Sequence, residues 1–240
     1  MTSPVTWPPP PNWRQWRHVT KLDPDRPLSD EALARIYGSG TDAILVGGST
    51  GMTQEAVLGL LGRLSDAPVP VALEVSTMES AMPGPALFLI PLVLNTPDSR
   101  WLGGAQAQAM AGILPVVGEY IPWDLLLPEA YLVLNPAATV AKVTSADTSI
   151  DAAMAAAYAA FAGRVLRLPL IYVEYSGAFG DMALLRSVKE HAGDAHVVYG
   201  GGIASGAQAF EAGQWADTVV VGNLVYTAPD RLQETVDALR

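Results

Sequence analysis

Apolar positions along this chain fall into short runs that end in turn residues, and stretches with helical periodicity separate most of these runs. Strands are expected at 18–22, 42–46, 70–75, 86–91, 131–134, 169–174, 196–199 and 217–221. Between them, Ser29-Asp30-Glu31 reads as an N-cap followed by acidic first-turn residues, and Gly38 or Gly40 closes that helix. Further helices are expected near 53–64, 97–111, 150–162, 181–191, 204–212 and 229–239. Eight strands in βα alternation predict a single α/β domain, a closed (β/α)8 barrel of the TIM type. One interval departs from the pattern. Residues 77–85 contain Pro83, Gly84 and Pro85 and are too broken for a helix, so a loop over the barrel mouth is expected between the third and fourth strands.

The length of 240 residues fits one such barrel, which typically takes about 250. Residues 1–12 form a proline-rich extension and 13–240 the barrel. With 50% apolar and only 16% charged residues, the chain can fill a large core and still present apolar surface to a partner or a greasy ligand. The longest apolar stretch, 86–94, contains Pro91 and falls short of the ~20 residues of a membrane span, leaving at most peripheral membrane contact. The N-terminus lacks the basic-then-apolar layout of a signal peptide, which points to the cytoplasm. A net charge of −10 argues against nucleic acid as a partner. The absence of cysteine removes disulfides, thiol nucleophiles and thiolate metal sites from consideration.

Chemistry concentrates where the strands end. Lys21 and Asp23 are two apart at the end of the first strand and so face the same side; Lys21 can meet a phosphate, and Asp23 offers a hard oxygen to magnesium. Gly47-Gly48-Ser49-Thr50-Gly51 permits close approach of an anion or a metal-bound diphosphate, with the hydroxyl of Ser49 or Thr50 able to complete a cation's shell. Glu74 and Ser76 share a face of the third strand, and a structural and a functional carboxylate are equally good readings of Glu74. On the sixth strand Tyr172, Glu174 and Ser176 share a face. A carboxylate inside such an apolar run is costly without a partner, and a general base belongs in such a place. Gly202, Gly222 and Asn223 follow the seventh and eighth strands, where barrels often cradle phosphate. His18, His191 and His196 have no ligand spacing and read as structural.

Five ordered segments carry a resemblance: Trp16-Arg17-His18-Val19-Thr20-Lys21-Leu22-Asp23-Pro24, Gly40-Thr41-Asp42-Ala43-Ile44-Leu45-Val46-Gly47-Gly48-Ser49, Tyr172-Val173-Glu174-Tyr175-Ser176-Gly177, Tyr199-Gly200-Gly201-Gly202-Ile203 and Val221-Gly222-Asn223. Together they resemble the geranylgeranylglyceryl phosphate synthase family, including its bacterial branch of heptaprenylglyceryl phosphate synthases. The resemblance implies a barrel missing one helix, often dimeric, that joins sn-glycerol 1-phosphate to a polyprenyl diphosphate and releases diphosphate with the help of magnesium. It implies that Lys21 contacts glycerol phosphate and that Asp23 and Ser49 form the magnesium site. It also implies a glycerol-phosphate pocket made by Tyr172, Val173, Glu174, Tyr175, Ser176 and Gly177 with Gly202, Gly222 and Asn223. Glu174 is expected to act as the base, with Tyr172 beside it. The resemblance puts a position that limits the prenyl tail at Ala109, and the small side chains of 103–112 are candidates for the tail groove. Thr50 stands where bacterial relatives often have Asp. Rival readings are a prenyltransferase of the moenomycin type that uses 3-phosphoglycerate, a phosphate-binding isomerase or aldolase barrel, and a non-catalytic phosphate- or lipid-binding barrel. Lys142 and Lys189 sit in loop or helix positions, against the aldolase reading.

Overall fold

Burial along the strands explains why the runs read as they do, because both faces of each strand are covered in the computed structural model, which describes residues 7–48 and 52–240. The strands are β1 (His18–Leu22), β2 (Ala43–Val46), β3 (Val71–Glu74), β4 (Leu87–Val93), β5 (Leu126–Val133), β6 (Leu170–Glu174), β7 (His196–Gly200) and β8 (Thr218–Val221). They pair in parallel in chain order, and β8 closes onto β1 with His18 opposite Val219. The fold is a (β/α)8 barrel.

The helices are α1 (Asp30–Gly38), α2 (Gln54–Arg63), α3 (Gly104–Val117), α4 (Thr139–Thr144), α5 (Ala152–Ala160), α6 (Met182–His191), α7 (Gly206–Gly213), α8 (Leu224–Thr227) and α9 (Leu232–Asp237). Ser29 caps α1 as expected, and the side chains of Thr53, Asp151, Asp181 and Ser205 likewise accept from backbone N–H groups of the first turn. Between β3 and β4 there is only a single 3-10 turn, Met78–Ser80, in a loop. Among the described residues no helix is long and apolar enough to cross a membrane.

Four elements differ from expectation. β5 starts at Leu126, five residues before the expected run, so Pro128 and Glu129 lie inside the strand. The α3 segment is displaced toward its C-terminal side, after a 3-10 turn at Ser99–Leu102 that Asp98 caps. The short α4 and α8 span little more than a turn and leave no periodicity to read.

The core has two layers. Leu22, Ile44, Leu73, Leu132, Ile171, Val173, Val197 and Tyr199 pack outward against the helices. Val19, Leu45, Ala72, Leu87, Leu127, Leu170, Val198 and Val220 fill the barrel, with Trp13 and Trp16 packed against them. Two buried histidines belong to this framework. His18 bonds Thr41 at 2.8 Å and Thr235 at 3.0 Å, and His196 bonds Thr218 at 2.7 Å. Burial disfavours the imidazolium and lowers each pKa to about 4.

Candidate active site

Above the apolar filling, the barrel interior turns ionic. Lys21 on β1 donates to both carboxylate oxygens of Glu74 on β3, at 3.0 and 3.2 Å. Burial alone would lower the Lys21 pKa, but Glu74, with Glu174 and Glu129 nearby, holds it above the ordinary lysine range. Glu174, at the end of β6, accepts from the Tyr131 hydroxyl at 2.8 Å through Oε2 and from the Ser176 backbone N–H through Oε1. Burial pushes the Glu174 pKa up; Lys21 and these two donors restrain the rise by favouring the carboxylate. Tyr131 and Tyr172 stack with ring centroids 4.8 Å apart, and Lys21 Nζ lies 5.7 Å from the Tyr172 ring centroid.

Glu129, two residues before Tyr131 on β5, is fully buried, and neither of its carboxylate oxygens has a hydrogen-bond partner. Burial, reinforced by Glu74 and Glu174, raises its pKa well above the carboxylate range. Burial without a donor thus favours the neutral, protonated form of this group. Three carboxyl groups around one ammonium compete for its charge in a low-dielectric interior, and the one without donors is the least stabilised as a carboxylate.

The strand ends open into a cavity of about 350 Å³. Its walls include Lys21, Asp23, Tyr172, Glu174, Ser176, Gly177, Gly202, Gly222 and Asn223, so nine positions scattered over four strand ends converge. The loops are latched: Tyr199 Oη accepts from Gly180 N at 2.8 Å and donates to Gly201 O at 2.9 Å, and Asn135 donates to Ser176 O at 2.6 Å. Gly202 turns with φ +56° directly against the backbone of Ala178 and Phe179, where no side chain fits. Asp23 lies against Gly48, whose missing Cβ would come within 2.8 Å of its Oδ1, and that oxygen accepts from Asp25 N at 3.0 Å.

Val173 and Tyr175 do not present side chains to this cavity. Val173 packs in the outer core and Tyr175 lies beside Tyr199, as the period of two along β6 requires. Ser49, and with it Thr50, lies outside the described residues. Sequence reasoning missed Glu129 and Tyr131 and, among the cavity's wall residues, Arg26 and Tyr226. Glu129 and Tyr131 alternate on β5 as Tyr172 and Glu174 do on β6, and that was the available signal.

A second, mostly apolar groove of about 750 Å³ runs beside the first cavity. Val75, Met78, Pro91, Val93, Trp101, Ala105, Ala109 and Val140 line it, together with Glu74 and Tyr131. The two spaces meet through paired side chains: Tyr131 lines the groove and bonds Glu174 of the cavity, and Glu74 lines the groove and bonds Lys21 of the cavity.

A parallel barrel with glycine turns after β7 and β8, a buried carboxylate and an adjoining apolar groove defines a phosphate-handling barrel enzyme that also accommodates an apolar chain. Residues 11–239 match the model of the PcrB family, and the chain belongs to that family. It is 45% identical over 229 residues to the heptaprenylglyceryl phosphate synthase of Brevibacillus brevis, covering 95% of this chain and 97% of the relative. It is 42% identical over 227 residues to the enzyme of the same name from Geobacillus kaustophilus, covering 95% and 93%. Its structure is similar to the crystal structure of (S)-3-O-geranylgeranylglyceryl phosphate synthase from Thermoplasma acidophilum in complex with its substrate sn-glycerol-1-phosphate, with a TM-score of 0.80, 26% identity and 93% of each chain covered.

Proposed function

We propose that this chain transfers a polyprenyl group from its diphosphate to the hydroxyl of sn-glycerol 1-phosphate, forming a prenylglyceryl phosphate ether and releasing diphosphate. The observation that carries the reading is the Tyr131–Glu174 hydrogen bond of 2.8 Å, which joins a polar cavity to an apolar groove at a buried carboxylate. Family membership and the names of the relatives support the same reaction.

In this reading the phosphate of the acceptor rests on the turns at Gly202, Gly222 and Asn223, and its hydroxyl end points down the cavity to Glu174. Tyr131 and the Ser176 N–H hold the carboxylate in place, and its raised proton affinity suits a general base. Glu174 takes the hydroxyl proton as the oxygen attacks the allylic carbon delivered along the groove. Tyr172, stacked on Tyr131, shields the junction from water. The small side chains of Ala105 and Ala109 leave room for the tail.

Asp23 fits magnesium. Among the described residues no three acidic or histidine groups cluster, and magnesium typically takes one or two carboxylates and completes its shell with substrate phosphates and water. Asp23, with Ser49, would hold the ion, which when bound neutralises the departing diphosphate. A homodimer and peripheral contact with a membrane that carries the prenyl substrate belong to the same reading. The exposed Leu114, Val116, Val117, Tyr120 and Trp123 in and beyond α3 support an apolar contact there.

The test is to incubate the purified protein and magnesium with labelled sn-glycerol 1-phosphate or 3-phosphoglycerate against prenyl diphosphates of several lengths. Ether product from the glycerol phosphate is expected. Product from 3-phosphoglycerate alone would change the acceptor, and no product from either would overturn the reading.

A further inference from the structure

Lys21 and Arg26 are the cationic side chains that line the polar cavity, and Lys21 already donates to both carboxylate oxygens of Glu74. A phosphate dianion entering the cavity therefore meets an ammonium whose charge is largely answered. Arg26 is different. Its guanidinium carbon lies 3.7 Å from the Tyr226 ring centroid, and one terminal nitrogen donates to Asn223 Oδ1 at 2.7 Å. Tyr226 is itself fixed, since its hydroxyl accepts from Asp23 N at 2.8 Å. No carboxylate among the described residues forms an ion pair with Arg26. A planar fork held by stacking and one hydrogen bond keeps its other N–H groups for a ligand.

The direction of the side chain separates two candidate ligands. Asp23 and Arg26 are three residues apart on one loop yet diverge: Asp23 lies against Gly48 after β2, whereas Arg26 reaches Asn223 after β8. In the acceptor reading above, the first side would take a metal-bound diphosphate and the second the acceptor's phosphate.

We propose that Arg26 is a ligand of the acceptor's phosphate group, positioned by Tyr226 and Asn223. This rests on the acceptor reading above. It assigns Asn223 a second role: its carbonyl oxygen orients the guanidinium, while its backbone faces the anion. A bidentate arginine at this place strengthens binding of a phosphate monoester and contributes nothing to the prenyl tail.

The experiment compares wild type, Arg26→Gln and Arg26→Lys, first by calorimetric titration with sn-glycerol 1-phosphate in the absence of prenyl diphosphate, then by steady-state transfer with each substrate varied. The expected result for Arg26→Gln is a 10- to 100-fold weaker acceptor affinity, the usual worth of a charge-assisted bond. The KM for prenyl diphosphate should stay within about twofold. Arg26→Lys should fall between, because it restores charge without the fork. Wild-type acceptor affinity in a folded Arg26→Gln would overturn the proposal, as would a rise confined to the prenyl diphosphate KM. Failure of the wild type itself to bind sn-glycerol 1-phosphate would instead overturn the acceptor reading.

Discussion

The polar cavity and the apolar groove share a wall but are built to different standards of rigidity. The cavity is assembled from the ends of β1, β6, β7 and β8, whose register is fixed by parallel pairing, and Tyr172 and Glu174 are at most 1% exposed. The groove has one wall of strand residues and another of α3, a helix without a single buried residue and with Pro115 inside it. Chemistry that depends on a proton acceptor placed to within fractions of an ångström belongs on the barrel. In the proposed function a tail of repeated isoprene units would need only a slot of suitable length, which a helix with no buried residue can border.

Glu174 offers the largest test of this division. Glu174→Gln keeps the shape and an acceptor for Tyr131 but removes proton affinity, so the chemical step should slow by about 10²–10⁴-fold for prenyl chains of every length. Single-turnover rates read this directly. A loss that depends on tail length would mean that the carboxylate belongs to the groove. Next in size is Asp23→Asn, expected to cut turnover at fixed magnesium by about 10²-fold and to shift the magnesium titration to higher concentration. An unchanged titration, or full wild-type turnover in excess chelator, would remove Asp23 from the metal's site.

The same division governs what could be read from the chain. Strand ends announce themselves: a period of two put Lys21 with Asp23 and Tyr172 with Glu174, and all four reach the cavity. The barrel followed from the alternation, and the missing helix before β4 from Pro83, Gly84 and Pro85. Glu129 was hidden because Pro128 beside it reads as a strand breaker, which moved the expected start of β5 past both. The cost of a lone buried carboxylate, used to single out Glu174, applied equally to Glu129 once the strand was known to extend that far. Arg26 carried no signal in the sequence because its partners Asn223 and Tyr226 are about 200 positions away. The α3 slip arose where alanine and glycine dominate, since such a stretch has too little contrast between faces to fix a boundary.

The groove is tested at Ala109, a small side chain on its α3 wall. Ala109→Trp should shorten the longest accepted prenyl diphosphate while leaving the KM for sn-glycerol 1-phosphate within about twofold, because a bulky indole blocks the slot without reaching the cavity. Product lengths resolved by mass spectrometry check this. An unchanged length profile would place the tail elsewhere, and a matching loss of acceptor affinity would show that cavity and groove are not separable.

The smallest effect on turnover is expected at Glu129, which lines neither space and lies beneath their junction. Its consequence is for stability, and the sign follows from its proton. In the unfolded chain a glutamate ionises near its ordinary pKa of 4.5, whereas in the barrel burial and the nearby Glu74 and Glu174 keep Glu129 protonated well above that. Below pH 4.5 both states carry the proton and folding costs nothing in protonation. Above it the unfolded state gains by releasing a proton that the folded state retains, so the wild type loses about 1.4 kcal/mol per pH unit until the folded pKa is reached. Glu129→Gln has nearly the same shape and no proton to lose. It should match the wild type well below pH 4.5 and become the more stable protein by a margin that grows with pH until the folded pKa of Glu129 is passed. Urea unfolding at several pH values measures that margin. If Glu129→Gln is instead the less stable protein at pH 8, Glu129 is ionised and serves as a counter-charge to Lys21. The neutral floor beneath the cavity would then be a charged one, and Glu174 would have a weaker claim on the ammonium.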